Sequence, residues 1–178
     1  TDANGCTGTA SFAVDIARAP VSLTWTPPAA IVYGTLLDGT QLNASASVGG
    51  TFDYTPASGA RLNAGAGQTL SVLFTPSDTA NYESASASVT IDVTPAALTV
   101  TAADASREFG TANPLFGGIL SGVIAGDGIT ASYASAASAS SAPGTYAIVP
   151  SLHDPQGRLS NYAVDRKSTR LNSSHVSE

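Results

Sequence analysis

Side chains able to perform acid–base or nucleophilic chemistry are few in this chain. A hydrolytic triad needs a histidine held between a nucleophile and an orienting acid, and His153 is the only histidine before residue 166. It lies beside Asp154 and Pro155 in a segment with turn composition. The single cysteine, Cys6, precedes the first complete repeat of the chain. We therefore predict that the chain has no catalytic residues and is not an enzyme.

Loop oxygens offer one candidate metal chemistry, that of calcium. Ca²⁺ takes about six to eight oxygen ligands, and four side chains in predicted loops carry suitable oxygens: Asp78, Asn81, Asp127 and Asp154. They are dispersed along the chain, and turn formation explains each of them without a metal. No Cys/His cluster has zinc spacing, and no Gly-rich run continues as a phosphate-binding loop. We predict no cofactor, with calcium as the alternative.

Aromatic side chains offer a second binding chemistry, because an exposed Trp or Tyr can form a platform for a sugar ring. Trp25 is the only tryptophan, and it lies on the first predicted strand beside Pro27 and Pro28. We predict that it points inward and fills the end of a sandwich. If Trp25, Tyr33 and Tyr54 were exposed in one patch, the chain would instead be a carbohydrate- or cell-surface-binding module.

The charge of the chain excludes two classes of partner. Residues 1–165 carry 4 Lys/Arg and 12 Asp/Glu side chains, a net charge of −8. Nucleic acids and anionic membrane surfaces bind basic side chains, so we expect neither as a partner. No apolar run reaches the roughly 20 residues that cross a bilayer, and no signal peptide is recognisable. We expect no membrane insertion in this segment.

The elements that would position these side chains repeat along the chain. Residues 10–16 return as residues 87–93, and residues 21–24 return as residues 98–101, in both cases 77 positions later. Two further matches have nearly the same spacing: 33–35 with 109–111, and 81–82 with 161–162. A repeat of this length in alternating apolar and polar sequence predicts tandem β-modules.

The repeat divides the chain into four parts. These are the last strand of a preceding repeat (1–17), a first module (18–94), a second module (95–165) and a tail (166–178). Strand 11–16 is predicted for the first part. Pro20 and Pro95 mark the joints, because proline fixes φ and lacks a backbone donor. We expect a segment of a longer protein.

Period-two alternation predicts strands throughout both modules. Leu70, Val72 and Phe74 fall on one face, which we predict points inward, and the same alternation continues over residues 89–93. The predicted strands of module 1 are 21–25, 31–32, 42–47, 51–55, 69–75 and 86–93. Short strands at this spacing are typical of a β-sandwich. The predicted fold class is all-β, with tandem Ig-like β-sandwich modules joined by short Pro-containing linkers.

Residues 78–84 resemble the Asp-x-Ala-x-Tyr-x-Cys signature of immunoglobulin domains. The resemblance implies that Tyr82 forms a tyrosine corner, whose hydroxyl bonds back to nearby backbone. Ser84 stands where that family has the cysteine of its inter-sheet disulfide. Alternatively, Asp78 and Asn81 cap a turn and Tyr82 packs in the core. Tyr162 holds the matching place in module 2, and either interpretation gives these residues a structural role.

Residues 96–164 resemble the bacterial MBG family (mostly bacterial glycine) over nearly their whole length. Six short motifs follow in the family's order: aromatic-Gly at 109–110, Asn-Pro at 113–114, Ser-Gly at 121–122, Gly-Asp at 126–127, Gly-Thr-Tyr at 144–146 and Asn-Tyr at 161–162. Phe109 replaces the more usual Tyr. The resemblance implies tandem β-modules of long secreted or surface-anchored bacterial proteins. Module 1 more loosely resembles the bacterial Ig-like repeats that occur beside such domains.

Residues 166–178 differ from the rest in composition and hold three of the seven basic residues, with the only lysine. They resemble translated sequencing-adaptor read-through at the ends of metagenomic reading frames, and a genuine polar tail is the alternative. The tail begins where module 2 should have its last strand. We predict that module 2 lacks this strand, that residues 166–178 are disordered or loosely draped, and that a neighbouring strand keeps an unpaired edge.

These observations predict a non-catalytic structural spacer or presentation repeat of a secreted or cell-surface, adhesin-like bacterial protein. The predicted partners are neighbouring repeats of the same chain. Binding to a carbohydrate or to another cell surface is the alternative. The expected mechanism is mechanical, with independently folded modules and proline-marked joints that limit bending.

Overall fold

The structure is a computed structural model that describes residues 13–174. Its strands form four sheets, two before Pro95 and two after it. Strands account for nearly all of its regular structure, and a short 3-10 helix at Leu159–Asn161 is the only helix in this range. The all-β prediction is therefore confirmed. None of the helical structure between residues 13 and 174 is long and apolar enough to span a membrane.

Module 1 contains two sheets. Its strands are β1 (Leu23–Thr24), β2 (Ile31–Val32), β3 (Ser45–Ala46), β4 (Gly50–Thr55), β5 (Gly65–Pro76) and β6 (Ala85–Thr94). β1 pairs with β3, and the larger sheet has the order β2-β6-β5-β4. β5 and β6 are antiparallel, with Leu70 opposite Val89, whereas β2 runs parallel to β6.

The core of module 1 lies under the long strands β5 and β6. Leu70, Val72 and Phe74 are 0%, 2% and 0% exposed, as the alternation predicts. Leu70 packs in one cluster with Leu37, Leu42 and Ile91. Burial of β-branched and aromatic side chains on one face of a pleated sheet is what favours a strand over a helix here.

Module 2 also contains two sheets. Its strands are β7 (Ala96–Ala102), β8 (Ala105–Glu108), β9 (Gly118–Ser121), β10 (Thr130–Ser135), β11 (Gly144–His153), β12 (Tyr162–Lys167) and β13 (Thr169–Ser174). The sheet orders are β12-β7-β9 and β10-β11-β13-β8. Only Pro95 separates β6 of module 1 from β7 of module 2. The chain thus passes directly from one module into the next.

The N-terminal end of the described range differs from the prediction. Residues 13–18 form no strand, and Val14 and Ile16 are 71% and 85% exposed. Alternation alone cannot hold a strand where no neighbouring strand covers its apolar face. The remainder of the predicted strand, and Cys6, lie outside the described residues. Arg18 donates to the Thr79 carbonyl oxygen at 3.3 Å, and Ala19 forms a β-bridge with Tyr82.

The final strand of module 2 is also a correction, because residues 166–174 are neither draped nor disordered. They complete β12 and form β13, which lies between β11 and β8. Leu171 enters the module 2 core with 0% exposure, beside Ile148. It follows Tyr162 by the same nine positions that separate Ile91 from Tyr82. One well-placed apolar residue thus fills the strand position that the repeat requires. The resemblance of the tail to adaptor read-through stays a prediction, which sequencing of the source DNA across codon 166 would test.

Ser173 places a polar side chain at a buried position of β13, and its replacement by valine should stabilise the chain. Ser173 is 7% exposed, and its buried hydroxyl has no hydrogen-bond partner within residues 13–174. It faces Gly144, just as Val93 faces Gly65 in module 1. We expect Ser173→Val to raise the free energy of unfolding by about 1–2 kcal/mol, measured by urea denaturation. An unchanged or lower value would show that the module 2 site cannot hold the side chain that module 1 holds.

Candidate functional site: the joint between the modules

The two modules share a hydrophobic core at their junction, which we call the joint. Its buried members come from both sides of Pro95: Tyr33 and Val93 from module 1, and Ala96, Leu98, Ile129 and Tyr162 from module 2. The rings of Tyr33 and Tyr162 meet edge to face, with centroids 5.4 Å apart. A core that spans both modules opposes their separation, because separation would expose these side chains to water. This packing therefore favours modules that are coupled to each other, whereas the sequence predicted independently folded modules.

A buried carboxylate lies at the centre of the joint. Asp127 has 0% exposure, and its Oδ2 accepts hydrogen bonds from the hydroxyls of Tyr33 at 2.9 Å and Tyr162 at 2.5 Å. Its Oδ1 lies 3.0 Å from Nη2 of Arg61. Tyr33 and Arg61 belong to module 1, whereas Asp127 and Tyr162 belong to module 2. Each oxygen of the carboxylate thus binds a group from the preceding module.

Arg61 completes this network from the edge of the joint. Its guanidinium carbon lies 5.4 Å from the centroid of the Tyr33 ring, and its Nη1 donates to the Ala125 carbonyl oxygen at 3.4 Å. The Arg61 side chain is 27% exposed, so it keeps part of its hydration. A buried carboxylate is costly unless it is paired and hydrogen-bonded. The two hydroxyls supply hydrogen bonds to Oδ2, and Arg61 supplies the opposite charge beside Oδ1. The Tyr33 and Arg61 contributions require the modules to be in contact.

A second polar contact lies beside this network. The Asn161 Oδ1 accepts from the backbone N–H of Ala64 at 2.7 Å, and Asn161 is 4% exposed. Asn63 Oδ1 accepts from Arg158 Nη1 at 3.2 Å and from Asn161 Nδ2 at 3.4 Å. The short helix that carries Asn161 thus fixes the loop before β5 of module 1. Two polar contacts and one apolar core determine the relative orientation of the modules.

The loop between β9 and β10 brings module 2 side chains to module 1. Ile124 donates its N–H to the Tyr162 hydroxyl at 2.9 Å, and Asp127 donates its own to the Ile124 carbonyl at 3.1 Å. Ile124 also packs on Gly34, where a Cβ atom would lie 2.9 Å from its Cδ1. A side chain at position 34 would therefore overlap Ile124 of the next module.

The joint tyrosines should ionise late in an alkaline titration. Burial, and then the hydrogen bond to Asp127, raise the pKa of Tyr162 to about 12 and also raise that of Tyr33. Because the pKa of each phenol is higher in the folded than in the unfolded state, folding favours the neutral form. This contribution to stability is complete below about pH 10 and is lost as the pH rises through the folded-state pKa. Tyrosinate absorbance should show two of the six tyrosines ionising last, and Tyr33→Phe or Tyr162→Phe should each remove one late step. Ionisation of Tyr33 and Tyr162 near pH 10 in the still-folded chain would contradict this.

The other residues predicted from sequence lie away from the joint. Asp78 accepts from the N–H groups of Ala80 and Asn81, and these and the Asn81 amide lower the pKa of Asp78. Asp154 accepts from two backbone N–H groups in its own turn. Asp78 and Asn81 thus share one turn, whereas Asp127 and Asp154 have partners elsewhere. Residues 13–174 contain no group of three or more His, Cys, Asp or Glu able to hold a metal.

Tyr82 is held through its main chain, which donates to the Asp78 carbonyl at 3.1 Å and bridges Ala19. Tyr162, its counterpart, is held through its hydroxyl, which donates to the Asp127 carboxylate and accepts from the backbone N–H of Ile124. His153 is exposed at the end of β11. The matching tyrosines of the two modules thus have different contacts.

The three candidate platform aromatics do not form one patch. Tyr33 is 3% exposed and belongs to the joint. Trp25 is half-buried, its Nε1 donates to the Gln41 carbonyl at 3.1 Å, and its ring meets that of Tyr54 at 5.4 Å. The Tyr54 hydroxyl accepts from the Ala44 N–H at 2.9 Å. Trp25 and Tyr54 therefore anchor the first sheet to the second.

Sequence reasoning found Asp127 only as a loop acid and did not find Arg61. No local pattern links them, since they are 66 positions apart and belong to different repeats. The available signal was the Gly-Asp motif, together with the rarity of basic residues. Arg61 is one of only four Arg or Lys side chains before residue 166, so a carboxylate partner for it could have been sought among the loop acids.

Comparison with known families identifies the second module. Residues 98–171 match the family model of the MBG domain (YGX type). The match covers β7 to the first half of β13 and includes the Phe109-Gly110 step, Asp127 and Tyr162. No curated protein matches the chain. The predicted MBG-type domain is thus supported, and domains of this family are repeat domains of surface proteins.

Proposed function

We propose that this chain, whose second module is an MBG-type domain, is a non-catalytic spacer in a secreted or cell-surface, adhesin-like bacterial protein, and that the joint makes it stiff. The observation that carries the proposal is the Asp127 carboxylate, which is fully buried between the modules and bound by Tyr33 and Arg61 across the joint. A hinge would leave such a carboxylate periodically unpaired, which is unfavourable. Stiffness lets a row of modules hold a distal domain away from the cell.

Two other features support this role. The MBG-type domain favours a surface location and a chain of repeats, and the acidic surface favours solubility without nucleic-acid binding. The assignment of residues 18–94 as an Ig-like module is part of the same proposal. Neighbouring repeats of the same chain remain the proposed partners.

Backbone ¹⁵N relaxation of the full chain tests the stiffness. We expect one rotational diffusion tensor for both modules, and we expect Asp127→Ala to split it into two. Pro95→Gly is the matched control, because Pro95 is exposed and contributes only local restraint. It should leave a single tensor. Independent tumbling in the unaltered chain, or its appearance with Pro95→Gly alone, would overturn the proposed mechanism.

Carbohydrate or cell-surface binding is the second candidate, and the aromatic row of module 1 is the observation that favours it. Phe52 is 36% exposed and stacks near Tyr54, with centroids 6.2 Å apart, next to Trp25. Titration of the full chain with soluble polysaccharides, followed by Trp25 fluorescence, tests this function. A saturable change that Phe52→Ala abolishes would support it, whereas a flat response across acidic and neutral glycans would remove it.

A further inference from the structure

The far end of module 2 has the same construction as the end of module 1 that forms the joint. In module 1, β2 leads into Tyr33-Gly34, and in module 2, β8 leads into Phe109-Gly110. β2 and β8 each run parallel to the last strand of their own module. Both glycines have a positive φ, +100° and +85°. We call the surface around residues 107–111 the distal face.

The distal face is more exposed to solvent than the joint. Tyr33 is 3% exposed, whereas Phe109 is 42% exposed. A Cβ atom on Gly34 would meet Ile124 of the next module, but one on Gly110 would meet nothing within 4 Å. The repeat thus retains the aromatic-Gly step at a place where residues 13–174 supply no following module.

The distal face also holds a buried positive charge. Arg107 is 6% exposed and donates to the carbonyl oxygens of Thr111 at 3.0 Å and Ser138 at 2.5 Å, while its Nε has no hydrogen-bond partner among the described residues. Arg61 and Lys167 form the ion pairs of the described range, and Arg107 is not part of them. A buried charge without a counter-ion is unfavourable. A carboxylate from outside the module would stabilise it.

We propose that the distal face is the docking surface for the start of another module of the module 2 type. In this arrangement the counterpart of Ile124 covers Phe109-Gly110, and the counterpart of Asp127 supplies the carboxylate for Arg107. The occupant follows from continuity with the joint, where the same loop covers the same step. At the distal face the arginine comes from strand β8 instead of the loop before the module's long strand. Ser140, four residues before Gly144, occupies the position that Arg61 has before Gly65. The inference rests on the proposed function and adds the partner of this face.

An extended chain tests the inference: residues 13–174, one proline, and a second copy of residues 96–174. We expect ¹⁵N relaxation to give one diffusion tensor for all three modules. Asp127→Asn in the second copy alone should raise the population of detached third module roughly tenfold or more, the loss expected for a hydrogen bond to a charged group. Asp165→Asn in that copy is the control, since Asp165 is 57% exposed.

Two further variants of the extended chain distinguish a lost docking contact from a poorly folded final strand. Gly110→Val in the first copy should release the third module, while in the unextended chain it should leave the joint intact. In the other version, the sequence of residues 88–95 replaces residues 168–175, so that a weak final strand cannot cause detachment. A third module that tumbles freely in this version, with modules 1 and 2 still joined, overturns the inference and leaves the proposed function standing. The inference is also overturned if the three modules stay stiffly joined with Asp127→Asn in the second copy and with Gly110→Val in the first. Separation of modules 1 and 2 would instead remove the proposed function.

Discussion

Replacement of Asp127 by alanine should lower the free energy of unfolding by about 3–5 kcal/mol. The substitution leaves the hydroxyls of Tyr33 and Tyr162 without their acceptor and leaves Arg61 without its counter-ion. Because the Arg61 side chain is 27% exposed and can recover some hydration, we expect a value near the lower end. The substituted chain should also lose cooperativity, because the core of the joint belongs to both modules.

Urea denaturation followed by Trp25 fluorescence and by far-ultraviolet circular dichroism measures both effects. Trp25 lies in module 1, and circular dichroism reports on both modules, so separated transitions would show uncoupled modules. Asp53→Ala is the matched control, since Asp53 is an exposed strand residue, and it should change stability by less than about 0.5 kcal/mol. Equal effects of the two substitutions would mean that the carboxylate network contributes no net stability to the joint.

The Asp127 network gives orientation as well as stability. Apolar side chains can slide past one another with little change in free energy, whereas a carboxylate that binds two hydroxyls and a guanidinium is satisfied in one geometry. The Asn161 and Asn63 contacts are a second polar attachment between the modules and oppose rotation about the Asp127 position. A spacer made of such joints transmits bending forces instead of absorbing them at its linkers. Pro95, which the sequence suggested as the stiffening element, is exposed, and we expect it to contribute less than these contacts.

The sequence predicted what depends on local patterns. Alternation placed Leu70, Val72 and Phe74 inward because a strand with one buried face must alternate. It also placed the boundaries of β2 correctly, at Ile31–Val32. The repeat paired Tyr82 with Tyr162, since both follow an asparagine before the last strands of their modules.

The sequence did not predict what depends on contacts between repeats. Tyr33 was one of three aromatics that would form a sugar platform if exposed in one patch, yet the following module covers it. The partnership of Arg61 with Asp127 needs the relative orientation of two modules, which no single-module pattern contains. β13 was missed for another reason. Its composition is atypical, but the strand position between β11 and β8 requires only one deeply buried apolar residue, and Leu171 provides it.

Replacement of Gly122 by alanine should cost about 3 kcal/mol or more and should displace the loop that carries Asp127. Gly122 directly follows β9 and has φ +91°, a conformation that is strained for any residue with a Cβ atom. A Cβ atom there would also lie 2.2 Å from the backbone carbonyl oxygen of Ala97, which belongs to β7 and cannot rotate away. Relief of this overlap must move either β7 or the loop, and the loop holds Ile124 and Asp127 against module 1.

Gly126→Ala in the same loop separates the two causes. Gly126 has φ +90°, almost the same as Gly122, but a Cβ atom there would meet nothing within 4 Å. It should therefore show the conformational strain alone, about 1–2 kcal/mol, while Gly122→Ala shows strain and overlap together. Denaturation gives the two free energies, and the late ionisation of Tyr162 reports whether Asp127 still reaches it. If Gly122→Ala destabilises the chain but leaves that ionisation late, the overlap is relieved within β7. If Tyr162 instead ionises near pH 10, the overlap has moved the loop. The Ser-Gly motif at 121–122 then acts by positioning the loop that carries Gly126-Asp127, and so holds one module to the next.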